Sequence, residues 1–141
     1  MSVEENKQIV RRFHTELWSG NLAVVDELLS SDFHSAMGTA QGIKEAVAGS
    51  RSVVPDLQFQ IEELIAEDDK VVMRWRTSGT YQGSPQASAD SPMPPAGKPF
   101  SCTGITINQV EDGKIVSDVY ENSWTNMLLD MGYTLSPPNV S

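Results

Sequence analysis

The stretch ITINQVEDGKIVSDVYENSW, residues 105–124, constrains the fold more than any other part of the chain. Two β-branched runs flank Glu111-Asp112-Gly113-Lys114, and Asp-Gly between alternating apolar residues is the strongest short-range hairpin signal. Side chains alternate between the faces of a strand. By that parity Ile105, Ile107, Val119 and Glu121 fall in one class, and Thr106, Asn108, Asp118, Tyr120 and Asn122 in the other. The second class is polar for the long central hairpin of a small sheet. It is read as the lining of a pocket that the rest of the chain folds to enclose.

At 141 residues the chain fits one domain, with a core over about 7–132 and a tail over 133–141, and needs neither metal nor disulfide to hold a core. Its formal net charge of −9 argues against a nucleic-acid or anionic-membrane surface, since both need clustered Lys and Arg. The single cysteine, Cys102, excludes an internal disulfide and a cysteine-based zinc cluster. No apolar run approaches the ~20 residues of a membrane span. The opening SVEENKQIV carries acids and a helical pattern where a signal peptide would be basic and then apolar, so a reducing cytoplasm is the expected location. There is no phosphate loop, dinucleotide fingerprint or metal-ligand cluster.

Along the chain, Val3, Ile9, Val10, Phe13, Leu17 and Trp18 give an amphipathic helix over about 3–18, stopped at Gly20. A second helix is expected over 22–29, an irregular stretch from Asp32 to Gly42, and a third helix over 43–53. After Pro55-Asp56 the pattern becomes strand-like, over about 57–66, 71–81, 100–110 and 115–122. Residues 84–99, rich in Pro, Ser, Ala and Gly, form a long loop of the kind that often covers a site. A short helix over 124–131 closes the chain. Helices first and antiparallel strands after predict an α+β fold, a curved sheet wrapped around the N-terminal helices with a cone-shaped cavity on its concave face.

Several motifs then match one pattern in order: Asp32-Phe33-His34, Gly42-Ile43, Pro55-Asp56-Leu57, residues 69–75 (DKVVMRW), residues 79–83 (GTYQG), residues 93–98 (MPPAGK), residues 112–116 (DGKIV) and residues 128–132 (LLDMG). Together they resemble the SnoaL-like polyketide cyclase (ester cyclase) family of the nuclear-transport-factor-two-like superfamily, over about residues 7–132. The resemblance implies a cystatin-like α+β cone, a homodimer packed through its sheets, an internal pocket for a hydrophobic small molecule, and no cofactor. Family members close rings on polyketide esters by intramolecular aldol condensation with a carboxylate as acid/base. Other members of the superfamily are isomerases, dehydratases or epoxide hydrolases. Counting from Asp112-Gly113-Lys114, the position of the family's catalytic aspartate falls on Tyr120 and that of its pocket histidine on Thr106. The histidine of its Gly-Thr-His motif is Tyr81. A one-residue slip would bring Glu121 to the acid position but would turn the strand's faces over.

Asp118, two residues before Tyr120, shares the presumed pocket face. A carboxylate in an apolar cavity is pushed up toward neutrality and can act as a base; the alternative is an exposed acid or the partner of an arginine. Tyr120 is a donor to a carbonyl or enolate oxygen, or else a packed core phenol. Thr106 and Asn122 are orienting groups. His34 follows the second helix, near the expected pocket mouth, and is a third catalytic candidate; His14 is given a structural or surface role. Trp18 and Trp124 are pocket or core walls, and Trp18, Trp75 and Tyr81, with Thr106 and Asn122, are the expected substrate-binding residues. Arg74 and Arg76 share one face of a strand and Met73 and Trp75 the other. If the arginines turn inward, Arg74 binds substrate or holds Asp118 ionised; if the apolar pair does, the arginines are a solvated or dimer-facing row. Cys102 is an inert small hydrophobe. The expected function is a cofactor-free cyclase or isomerase, with a non-catalytic ligand-binding dimer and water addition to an epoxide as alternatives. The last needs an Asp–Arg–Asp arrangement around Asp118.

Overall fold

A computed structural model of the chain describes residues 2–82 and 97–139. Helix α1 (Val3–Trp18) begins where the Ser2 hydroxyl accepts the Glu5 amide at 3.1 Å, and Glu4 and Glu5 sit in the positively polarised first turn. Its stripe of Val10, Phe13 and Leu17 is buried and carries His14 inward with it. Gly20, at φ +107°, ends the run in a conformation that suits glycine. Helix α2 (Ala23–Leu28) buries Val24, Val25 and Leu28. Helix α3 (Ala40–Val53) starts earlier than the apolar pattern predicts, because the Thr39 hydroxyl caps it by accepting the Gly42 amide at 3.1 Å.

Strands β2 (Gln58–Glu67), β3 (Lys70–Tyr81), β4 (Lys98–Glu111) and β5 (Lys114–Asn122) follow one another in an antiparallel meander, and helix α4 (Trp124–Asp130) closes the chain. In the β4–β5 hairpin, Asp112 at φ +50° and Gly113 at φ +77° make the turn whose twist matches its strands. Of the long loop expected over 84–99, residues 84–96 lie outside the described residues, and its end is corrected: Lys98 and Pro99 already belong to β4, paired with Tyr81 and Thr80. One strand comes as a correction. Leu29–His34, read as the end of a helix and an irregular stretch, is strand β1 and pairs parallel with β5 at the sheet's edge. LSSDFH has no alternation of its own; a partner far away in sequence makes it a strand.

The sheet order is β1-β5-β4-β3-β2, with breaks in register between Ile61 and Glu63 and between Gln109 and Val110. Such bulges sharpen local twist, and the sheet curves without closing, in a mixed α+β architecture. Its inner face brings Phe59, Ile61, Leu64, Val71, Met73, Trp75, Val110 and Ile115 against α1 and α2. Val10, Val71, Met73 and Ile115 are at most 1% exposed. Burial of such a side chain stabilises the fold by about 1.5–3 kcal/mol. A second apolar cluster, Val54, Tyr81, Cys102, Met127 and Met131, seats α4 and the end of α3 on the far ends of β3 and β4. No helix among the described residues is long and apolar enough to cross a membrane.

Candidate functional site

Register across the sheet sorts the candidate residues into rows. Val71, Asn108 and Asp118 are cross-strand neighbours; so are Met73, Thr106 and Tyr120; so are Trp75, Gly104 and Asn122. Thr106 and Asn108 are buried with Met73 and Val71, so the polar parity class of the hairpin belongs to the inner face. Asp118 and Tyr120 continue those rows onto β5 and are half-buried.

The inner wall is held by polar contacts that a hydropathy pattern does not reveal. His14 Nε2 lies 2.9 Å from Asn108 Oδ1, while Asn108 Nδ2 donates to the Val71 carbonyl at 3.3 Å. The amide's donor is therefore committed to backbone, its oxygen accepts, and His14 is the neutral tautomer protonated on Nε2. Burial pushes the imidazole down to about 4, against the pull of the Asn108 hydrogen bond. One row on, Trp75 Nε1–H donates to Thr106 Oγ1 at 2.9 Å. The indole occupies the space above Gly104, where a Cβ would collide with it. Aromatic rings complete the wall: Trp18 stacks on Phe59 at 6.1 Å, Phe59 lies 6.2 Å from both His14 and Trp75, and Trp18, Phe59 and Trp75 are all half-buried.

Asp118 is the group in this wall whose chemistry is unsettled. Its Oδ1 is buried with no hydrogen-bond partner. Desolvation pushes the carboxyl above the usual carboxylate range, opposed by a hydrogen bond from Ser35 and by the charge of His34. His34 stands at the end of β1, in register with Ser117. It is exposed, and its Nδ1 lies 3.4 Å from the Asp32 carbonyl. Asp118, His34 and Ser35 thus gather at the seam of β1 and β5.

Other expected members lie elsewhere. Arg74 is on the outer face, exposed, with ion pairs of 2.9 Å to Glu62 and to Glu63; the apolar pair Met73 and Trp75 takes the inside. Asn122 is exposed, and its Oδ1 accepts the Trp124 amide at 3.1 Å, so it serves the start of α4. Trp124, read as a wall, is 54% exposed. Tyr81 is buried in the second apolar cluster with its hydroxyl unpartnered. His14, given a structural or surface role, is buried and paired with Asn108. Ser35 carries no signal in the sequence at all. Among the described residues no group of three or more His, Cys, Asp or Glu side chains could hold a metal ion.

The sequence profile of the SnoaL-like polyketide cyclases matches residues 8–123. No curated protein matches the chain by sequence. Among solved structures, TsrD from Streptomyces laurentii is similar at 23% identity and a TM-score of 0.78, covering 94% of this chain and 98% of its own. AclR from Streptomyces galilaeus is similar at 21% identity and 0.76, covering 93% and 98%. A SnoaL-like polyketide cyclase from Agrobacterium tumefaciens is similar at 15% identity and 0.73, covering 94% and 100%. At these identities the structural likeness speaks for the fold.

Proposed function

Because the chain belongs to the SnoaL-like polyketide cyclase family, we propose that it is a cofactor-independent enzyme that cyclises or isomerises a polyketide-like or other hydrophobic carbonyl compound by acid/base catalysis. The observation that carries this reading is the Asp118 carboxyl, raised by desolvation and with its buried Oδ1 unpartnered on the inner face. A buried carboxylate deprived of water is a stronger base than one in solution. Asp118 takes the proton α to the substrate carbonyl and returns it after rearrangement or ring closure. Tyr120, two residues on and in the next row, donates to the carbonyl oxygen as negative charge develops there. Trp18, Phe59 and Trp75 supply apolar and aromatic contact.

The test is the exchange of α-protons of a hydrophobic aromatic β-keto ester in D2O, followed by NMR. Asp118→Asn is expected to lower the protein-dependent rate by about 100-fold or more. An unchanged rate removes the mechanism. Water addition to an epoxide would need an arginine beside Asp118, and Arg74 and Arg76 are instead engaged by Glu62 and Glu63 on the outer face.

A second reading is a dimer that binds ligand without chemistry. It is favoured by Tyr120 and Thr106 standing where the family's aspartate and histidine are expected. It predicts binding of the same ester without exchange. In either reading the working unit is a homodimer. Ile65, Val72, Ile107 and Val119 form a cross-strand row on the outer face, and Ile65 and Val119 are each 62% exposed, as an unpartnered apolar surface would be. The proposed compartment is the cytoplasm, in keeping with a lone free cysteine.

A further inference from the structure

Ser35 is the first residue past β1. The parallel seam of β1 and β5, with His34 in register with Ser117, carries it to the side of Asp118. A tight turn fixes it there. Ser35 and Gly38 form an isolated β-bridge, and the Gly38 amide donates to the Ser35 carbonyl at 3.0 Å. Gly38 closes the turn at φ +95°, a conformation that glycine adopts readily. Inside the turn, Ser35 Oγ accepts the Met37 amide at 2.9 Å. A hydroxyl that already accepts a backbone N–H still has its own proton to donate, and the side chain beside it across the parallel seam is that of Asp118.

We propose that Ser35 is a positioning residue for Asp118: seated by the Met37 amide, its hydroxyl donates to the carboxylate and holds it, while Oδ1, which no group among the described residues satisfies, is kept for the substrate proton. This rests on the reading of Asp118 as the base. The groups packed around the carboxyl narrow the choice of donor. On β4, the neighbouring Asn108 has its amide committed to His14 and to the Val71 carbonyl. On α1, His14 is neutral at pH 7 and bonded to Asn108. On β1, His34 acts through its charge, which it carries only when protonated. Ser35 is thus the neutral donor that works at every pH. A carboxylate held in one orientation reacts without first having to find it, which is the advantage of a preorganised base.

The test reads the Asp118 carboxyl directly, by 13C NMR titration of the free protein, with Asp118→Asn assigning the signal. Ser35→Ala is expected to move the Asp118 midpoint to higher pH by about tenfold in proton affinity, the weight of one hydrogen bond to a charged group. Ser35→Thr, which keeps the hydroxyl, is expected to restore it. An unmoved midpoint in Ser35→Ala overturns the proposal. So does an equal shift in both variants, which would trace the effect to the turn rather than to the hydroxyl. The proton-exchange assay separates the two readings. If Asp118→Asn leaves exchange unchanged while Ser35→Ala shifts the midpoint, the base reading fails and the Ser35 contact stands.

Discussion

His14 Nε2 lies 2.9 Å from Oδ1 of Asn108, a polar pair between α1 and β4 with both residues buried. The imidazole is neutral there, and protonating it would leave a charge in the core facing an amide that can neutralise nothing. Its affinity for a proton falls from the ordinary 6.5 to about 4 on folding. The unfolded chain therefore binds more protons than the folded one between these values. The stability tied to His14 is complete above pH 6.5 and is lost as pH falls through about 4. Across the window it amounts to about 3 kcal/mol. Urea unfolding of the wild type and of His14→Gln at several pH values isolates it: the slope over this window is expected to shrink in the variant, and equal slopes would refute the assignment.

Asp118 runs the other way. Its folded carboxyl is raised above the unfolded value chiefly by desolvation, so ionising it as pH rises through the folded value lowers stability. Asp118→Asn is expected to be at least as stable as the wild type at pH 7, and to lose that advantage in acid. Thermal melts of both proteins at pH 7 and pH 4 test this. A variant clearly less stable at pH 7 would mean that the carboxylate is a structural ligand instead.

The same carboxyl sets the acid limb of the proposed proton-exchange reaction, which is expected above the usual carboxylate range. His34 brings positive charge near Asp118 and so works against that rise. His34→Gln is expected to move the limb further up, by several-fold in proton affinity, with the limiting rate preserved. A pH–rate profile that His34→Gln leaves in place would mean that the two groups do not communicate.

Gly104 answers to packing. A Cβ there would collide with the Trp75 indole, meeting Cε2 at 2.6 Å, and would stand 2.8 Å from the Glu121 carbonyl oxygen. The ring is tied to Thr106 and the carbonyl belongs to the next strand, so neither yields cheaply. Gly104→Ala is expected to cost about 1–3 kcal/mol. It should also displace Trp75, changing the tryptophan fluorescence. A melt and spectrum identical to wild type would show that the wall is loosely packed.

On the outer face, the row through Ile107 and Val119 predicts self-association. Val119→Lys is expected to yield a stable monomer by sedimentation, because a lysine pair buried across a symmetric contact repels. A wild type that is already monomeric at micromolar concentration would remove the dimer from the proposal.

The sequence by itself determined the elements with local periodicity. Alternation in residues 105–122, the Asp112-Gly113 turn and the apolar stripe of α1 are each written within a few residues, since strand parity and helical spacing are properties of the backbone alone. Parity also placed Thr106, Asn108, Asp118 and Tyr120 on one face. It could not say whether Trp75 or Arg74 looks inward, because that strand has large side chains in both classes; the choice came from the register of β3 with β4 and from the Glu62 and Glu63 partners. Only the tertiary structure made a strand of Leu29–His34, brought Ser35 and His34 beside Asp118, and closed His14 onto Asn108. Those contacts join segments about 80 to 95 positions apart, and no local pattern records a pairing whose free energy appears only when the two segments meet.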